Sequence, residues 1–128
     1  MKRKYKVIQW ATGTTGNASL KSIIRNPRLE LVGVKVYSDE KNGVDAGDLI
    51  DDKPTYVTCT QDSEEIIRLN ADCVIYSPMP WNINEMCSIL ESGKHIVTPC
   101  PYWFPFTQDK ESTQRLNEAC VFRKDRTC

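Results

Sequence analysis

The first 36 residues constrain this chain more than anything after them, because they switch between the two backbone periods around a glycine turn. Tyr5-Lys6-Val7-Ile8-Gln9-Trp10 is rich in β-branched and aromatic residues and reads as a strand. Ala11-Thr12-Gly13-Thr14-Thr15-Gly16 follows as a turn of small residues. Leu20, Ile23 and Ile24 then share one face of a helix. Pro27 stops that helix, since its ring nitrogen carries no proton for the helical ladder. Leu29 to Val36 is a largely apolar second strand. Strand, turn, helix and strand in that order make a βαβ unit with parallel strands.

The alternation continues along the chain. Ser38 to Lys53 is polar and loop-like, with a short helical turn over Asp45 to Ile50, and Tyr56-Val57-Thr58 reads as a short strand. Asp62 and Glu65 have the spacing of a capping box, opening a helix through Ile66, Ile67 and Leu69. Cys73 to Tyr76 is a buried-strand run stopped by Pro78 and Pro80. Ile83, Met86, Cys87, Ile89 and Leu90 recur at helical spacing, and Gly93 stands where a C-terminal cap glycine belongs. His95 to Thr98 is the next strand, and Phe106 to Phe122 contains a further helix with Leu116, Ala119 and Cys120 facing inward. No internal repeat or linker interrupts the pattern, so residues 1–128 form one domain. Its class is α/β: a Rossmann-type, doubly wound, mostly parallel sheet with helices on both faces. The expected strand order is 3-2-1-4-5, with a ligand crevice beyond the carboxyl ends of the strands.

Composition narrows the partners. Seventeen basic residues balance 17 acidic ones, so no net field draws the chain to nucleic acid or to an anionic membrane. Any bound anion must be held locally, by a loop or a helix end. No apolar run is long enough to span a bilayer, and the basic start is not followed by a signal-like apolar core; the expected location is the cytoplasm. The six cysteines contain no CxxC pair and there is a single histidine, which argues against structural zinc. Cys73 and Cys87 sit in apolar patterns as small buried hydrophobes; disulfides are the weaker alternative.

The glycine turn carries the chemistry. A dinucleotide fingerprint wants glycine at positions 11, 13 and 16, and the chain supplies Ala11, Gly13 and Gly16. Gly13 lets the backbone approach a pyrophosphate without a Cβ in the way, and Gly16 lets the helix pack close. Position 11 has only to make a tight turn, so alanine is the most tolerable departure. The amides of Thr14, Thr15 and Gly16, aided by the helix dipole, would hold the pyrophosphate. At the end of the second strand, Val36 leads into Tyr37-Ser38-Asp39-Glu40-Lys41 with no acid at the strand's last position. Ser38 and Lys41 can hold the 2′-phosphate of NADP, with Lys35 pointing off the sheet face. Asp39 can instead curl back to the ribose of NAD, and a solvated charged turn is the third reading. The preference is for NADP over NAD.

Beyond these motifs, the chain resembles a known family. Lys6 to Gly16, Leu29 to Ser38 and Lys41-Asn-Gly-Val-Asp-Ala-Gly47 are similar to one branch of the dihydrodipicolinate reductase-like family. That branch contains 2,4-diaminopentanoate dehydrogenase and related amine dehydrogenases. The similarity runs on through Glu91-Ser-Gly-Lys-His-Ile-Val-Thr98 to about Cys120. The resemblance implies an NAD(P)-dependent oxidoreductase that moves hydride to or from an amine- or imine-bearing carbon, the cofactor supplying the chemistry. It also implies a C-terminal substrate domain, whose motifs lie beyond the present sequence, and a homo-oligomer is compatible with it. Val121 to Cys128 drifts from the family pattern. This polypeptide by itself is expected to bind cofactor rather than turn substrate over, and no catalytic residue is assignable within it.

Ser77, after the fourth strand, and Thr98, after the fifth, stand at carboxyl ends where they can contact the nicotinamide ribose or carboxamide; the adjoining prolines can equally just end the strands. His95 enters its strand at the opposite sheet end, which favours a structural role. Gly93 to Val97 also resembles the glucose-fructose oxidoreductase-like family, but Thr98-Pro99-Cys100-Pro101 lacks that family's catalytic lysine motif. Cys100 has no identifiable partner base. Tyr102, Trp103, Phe104 and Phe106 read as an interface with a further domain or as an irregular buried loop. A non-catalytic nucleotide sensor with the same fold is the alternative of a different class.

Overall fold

The computed structural model describes residues 4–78, 82–98 and 114–119. Strand β1 (Tyr5–Trp10) leads through the glycine turn into helix α1 (Thr14–Arg25). Strand β2 (Leu29–Lys35) follows, then a 3₁₀ turn at Ala46–Ile50. Strand β3 (Cys59–Thr60), helix α2 (Ser63–Ile67), strand β4 (Cys73–Tyr76), helix α3 (Ile83–Glu91) and strand β5 (His95–Val97) complete the sequence of elements. The sheet has five strands in the order β3-β2-β1-β4-β5, and every pairing is parallel. This is the expected doubly wound order, with the switch of direction between β1 and β4.

Two apolar layers cover the sheet. On one face Leu20 of α1 packs with Val34, Val36, Ala46, Ile50 and Cys59. On the other, Ile66 of α2 and Met86 and Ile89 of α3 pack onto Ile8, Trp10, Val74 and Tyr76. The Trp10 and Tyr76 rings lie 6.2 Å apart on adjacent strands, tilted by 37°. Each fully buried large side chain of this kind contributes about 1.5–3 kcal/mol of transfer free energy. Residues 114–119 are helical, and Leu116 and Ala119 pack against Cys87 and Leu90 as their spacing predicts. Cys120 and the rest of the span from Phe106 to Phe122 lie outside the described residues.

A bulge re-phases β2. Val7 pairs with Leu31 but Ile8 pairs with Gly33, so Val32 is an extra residue in the ladder. The bulge brings Gly33 beneath α2, where an added Cβ would stand 2.5 Å from Leu69 Cδ1 and 3.2 Å from Ile66 Cδ1.

Three local expectations are corrected. Residues 56–58 are not the third strand, which lies at Cys59–Thr60. The Asp45 carboxylate accepts from the amides of Gly47, Thr55 and Tyr56 at 2.7, 2.9 and 2.7 Å, and this draws the segment into a turn with Tyr56 at φ 63°. Thr58 then bridges antiparallel to Asp45 instead of joining the sheet. Helix α2 ends at Ile67, before Leu69. Its cap is one-sided: Asp62 accepts from the Glu64 and Glu65 amides, while its own N–H donates to Thr60 Oγ1 and not to Glu65.

Among the described residues, no helix is long and apolar enough to cross a membrane. No group of three His, Cys, Asp or Glu side chains among them could hold a metal ion. Cys59, Cys73 and Cys87 are thiols outside any disulfide, Cys59 and Cys87 buried and Cys73 partly so.

Candidate functional site

Beyond the carboxyl ends of β1, β2 and β4 lies a cleft of about 610 Å³. The glycine turn forms one side, from Ala11 to Gly16, and Tyr37, Ser38, Lys41, Ser77, Pro78, Asn82 and Glu85 complete it. Gly13, Thr14, Thr15, Gly16, Ser38, Lys41 and Ser77 are therefore brought together from three separate stretches of chain. Thr98 is not among the lining residues; its hydroxyl donates to the Tyr76 carbonyl at 2.6 Å, tying the end of β5 to β4.

The turn is built from contacts on β1. Gln9, wholly buried, donates from Nε2 to the Ala11 carbonyl at 2.8 Å and to Ser77 Oγ at 3.3 Å. The Ala11 amide donates to the Lys35 carbonyl at 2.9 Å. So pinned, Ala11 adopts φ 82°, a left-handed conformation that costs an alanine roughly 1 kcal/mol relative to glycine. Position 11 thus demands more than a tight turn, and alanine there is strained. A Cβ on Gly16 would meet the Ala11 carbonyl oxygen at 2.3 Å, so the helix sits directly on the turn and tolerates only glycine at that point.

Gly13 differs from both. Its φ of −68° and ψ of −165° are open to any residue, and an added Cβ would find nothing within 4 Å. Among the described residues, no atom requires glycine there. Gly13 is the N-cap of α1, which starts without a side-chain cap and without an acidic residue in its first turn. The first turn of an α-helix leaves its amides without intrahelical partners, so Thr14, Thr15 and Gly16 present donors and the positive end of the dipole at the cleft. The turn suits an anion whose bulk fills the space above Gly13.

Lys41 reaches across the cleft to the turn. Its Nζ donates to the carbonyl oxygen and to Oγ1 of Thr12, both at 3.1 Å. A cation is thereby stationed beside the loop amides, with Ser38 exposed next to it on the loop after β2.

A polar network closes the remaining side. Tyr37 Oη accepts from Trp10 Nε1 at 2.8 Å and donates to both oxygens of Glu85 at 2.9 Å. Tyr76 Oη donates to Glu85 Oε1 at 2.8 Å and accepts from the Asn82 amide at 2.9 Å. Asn82 caps α3, its side-chain oxygen accepting from the Glu85 amide at 3.2 Å, which fixes Glu85 in the first helical turn. Burial, followed by the hydrogen bond to Glu85, holds the Tyr37 phenol far above the ordinary tyrosine range. Burial does the same for Tyr76, with Glu85 adding to it. Lys35 does not leave the sheet for solvent: it is 4% exposed, donates to the Val36 carbonyl at 2.9 Å, and stands 4.0 Å from the Tyr37 ring centroid. Burial lowers its pKa against the opposing pull of the Glu85 and Asp62 carboxylates.

Thr12, Tyr37, Asn82 and Glu85 were not singled out from sequence. The signal for the last two was present as Asn82-x-x-Glu85, a cap spacing directly after the fourth strand. His95 is exposed at the start of β5 and does not line the cleft. Cys100 and the aromatic stretch Tyr102 to Phe106 lie outside the described residues.

Fold and cleft together place the chain in the Rossmann class of α/β domains. No family model matches it. It is similar to an amine dehydrogenase of Streptomyces virginiae, with 27% identity over 101 residues, covering 74% of this chain and 28% of the relative. The fold is shared with the amine dehydrogenase of Mycobacterium smegmatis at a TM-score of 0.80 and 18% identity, over 90% of this chain and 36% of that one. It is shared also with an NAD-binding protein of Listeria innocua at a TM-score of 0.70 and 21% identity, over 95% of this chain and 32% of that one. The chain spans about a third or less of the length of these relatives.

Proposed function

We propose that this chain is the dinucleotide-binding domain of an NAD(P)-dependent oxidoreductase. In this reading the first-turn amides of α1 and the open space at Gly13 receive the pyrophosphate. Ser38 and Lys41 read the adenosine ribose, and Ser77 lies toward the nicotinamide half with Thr98 fixing the strand end beside it. The observation that carries the reading is the glycine at position 13, which no atom of the described residues requires, at an uncapped helix start facing a cleft. A glycine that the protein does not need is explained by a ligand that does.

The cofactor is NADP in preference to NAD, on the strength of an ammonium and a hydroxyl beside β2 and the lack of an acid at its last position. When bound, the nicotinamide supplies hydride chemistry; this chain's residues bind and orient the cofactor. The parent enzyme acts on an amine- or imine-bearing carbon held by a further domain, a proposal supported by similarity to an amine dehydrogenase. Calorimetric titration of the chain with NADPH and with NADH tests the reading. Saturable binding of NADPH, tighter than NADH, is expected; heats no larger than dilution with both cofactors would refute it.

A further inference from the structure

Resting on the dinucleotide reading, we infer that Glu85 selects the nucleobase of the cofactor, accepting a hydrogen bond from the exocyclic amine of adenine. If the pyrophosphate lies on the glycine turn and the ribose beside Ser38, the base continues past β2 to Tyr37, the residue before Ser38. Tyr37 is 49% exposed and lines the cleft, so part of its ring is available for a planar base to lie against. The group hydrogen-bonded to Tyr37 on that side is Glu85, which also lines the cleft.

Glu85 has acceptor capacity to spare. A carboxylate offers about four lone-pair sites. Here it receives two phenolic hydrogens. The single Tyr37 hydrogen is shared between Oε1 and Oε2, and the Tyr76 hydrogen is shared between Oε1 at 2.8 Å and the Asn82 carbonyl at 3.2 Å. Oε2 is therefore served by half of one donor. The Asn82 cap and the two phenols fix the carboxylate in place, so a ligand donor meets a pre-positioned acceptor and not a mobile side chain. Lys35, over the Tyr37 ring, balances the local negative charge without occupying the cleft. Adenine presents an amine at C6, a donor. Hypoxanthine and guanine present a carbonyl oxygen there, which a carboxylate repels, and their N1–H meets the fixed carboxylate only if the base shifts from the adenine position. The network thus discriminates by the sign of one hydrogen bond.

The test compares binding of NADH and NADPH with their hypoxanthine analogues, in which the C6 amine is replaced by a carbonyl oxygen. In the wild-type chain the adenine form is expected to bind at least about tenfold tighter, the size set by a hydrogen bond to a charged group. In Glu85→Gln that ratio is expected to fall to about threefold or less, because an amide can turn its NH₂ toward the carbonyl. Equal wild-type affinities for the two bases overturn the inference, as does an unchanged ratio in Glu85→Gln. Equal weakening of both bases in that variant assigns Glu85 to the ribose hydroxyls and also overturns it. Absence of binding by every cofactor refutes the dinucleotide reading itself, and this inference with it.

Discussion

A Cβ on Gly16 would lie 2.3 Å from the carbonyl oxygen of Ala11, whereas one on Gly13, three residues earlier, would touch nothing. The two glycines of the loop therefore serve different ends. One is required by the protein's own packing; the other, in the proposed complex, by the pyrophosphate that the cleft would receive.

From that contrast, Gly16→Ala is expected to cost about 2 kcal/mol of stability, since a backbone carbonyl cannot move aside as a side-chain tip can. Gly13→Val is expected to cost at most about 1 kcal/mol, its backbone already being in a region open to valine. Binding should show the reverse order. Gly13→Val abolishes detectable NADPH binding while its urea midpoint stays near wild type. Retained affinity in a folded Gly13→Val chain would remove the loop from the binding account.

Lys41 has two roles that one substitution can separate. Its ammonium already holds Thr12 through two oxygens, and in the proposed complex it pairs with the 2′-phosphate. For Lys41→Ala, NADPH affinity should drop about tenfold or more, the scale of one charge-assisted bond, with NADH changed less than about threefold. Equal losses for the two cofactors would mean that Lys41 acts only by bracing the turn.

Asp45 makes the loop before β3 sensitive to acid. Hydrogen bonds from the backbone of Thr55, then of Gly47 and Tyr56, hold its carboxyl below the ordinary aspartate range, outweighing the opposing effect of burial. A depressed folded-state pKa means that the carboxylate's stabilisation is fully present above the unfolded value. It fades as pH falls through the folded one, so wild-type stability should decline below about pH 4. Asp45→Asn should lose about 1–2 kcal/mol at pH 7, because an amide NH₂ then faces a backbone N–H. It should also lack Asp45's share of the acid-induced decline. Urea midpoints measured from pH 3 to pH 7 for both chains check this; parallel curves would contradict it.

Cys59 should be chemically silent in the folded chain. Burial, with a smaller push from Asp45, raises its thiol to about 11, against a weaker pull from Lys41. At pH 8 the thiolate is then on the order of a thousandth of the population, and the residue is 1% exposed. Iodoacetamide at pH 8, followed by peptide mapping, should leave Cys59 unmodified until denaturant is added. Labelling in native buffer at the rate of an exposed cysteine would show that β3 opens locally.

The elements that sequence revealed were those whose signals are local. Val7, Ile8 and Trp10 announce a buried strand by residue type, Leu20 and Ile23 a helix by spacing, and Pro27 its end. Parallel strands followed from the strand–helix alternation, and their order from the doubly wound class that this alternation defines. The third strand was misplaced because residues 56–58 carry strand-forming side chains, and only the Asp45 carboxylate, more than ten residues upstream, turns them away. A propensity cannot register a hydrogen bond made across a loop.

The cleft divides the same way. Sequence by itself determined the βαβ unit, the glycine turn and the helix start above it, because these depend on neighbours along the chain. Tertiary structure decided that Gln9 joins Ala11 to Ser77, that Lys41 reaches Thr12, and that Glu85 meets Tyr37 across a separation of 48 residues. It also decided that Ala11 is strained and that Gly33 lies beneath Leu69. Each of these depends on which residues the folded sheet and its helices bring within a few ångströms, a distance that the spacing of residues along the chain does not encode.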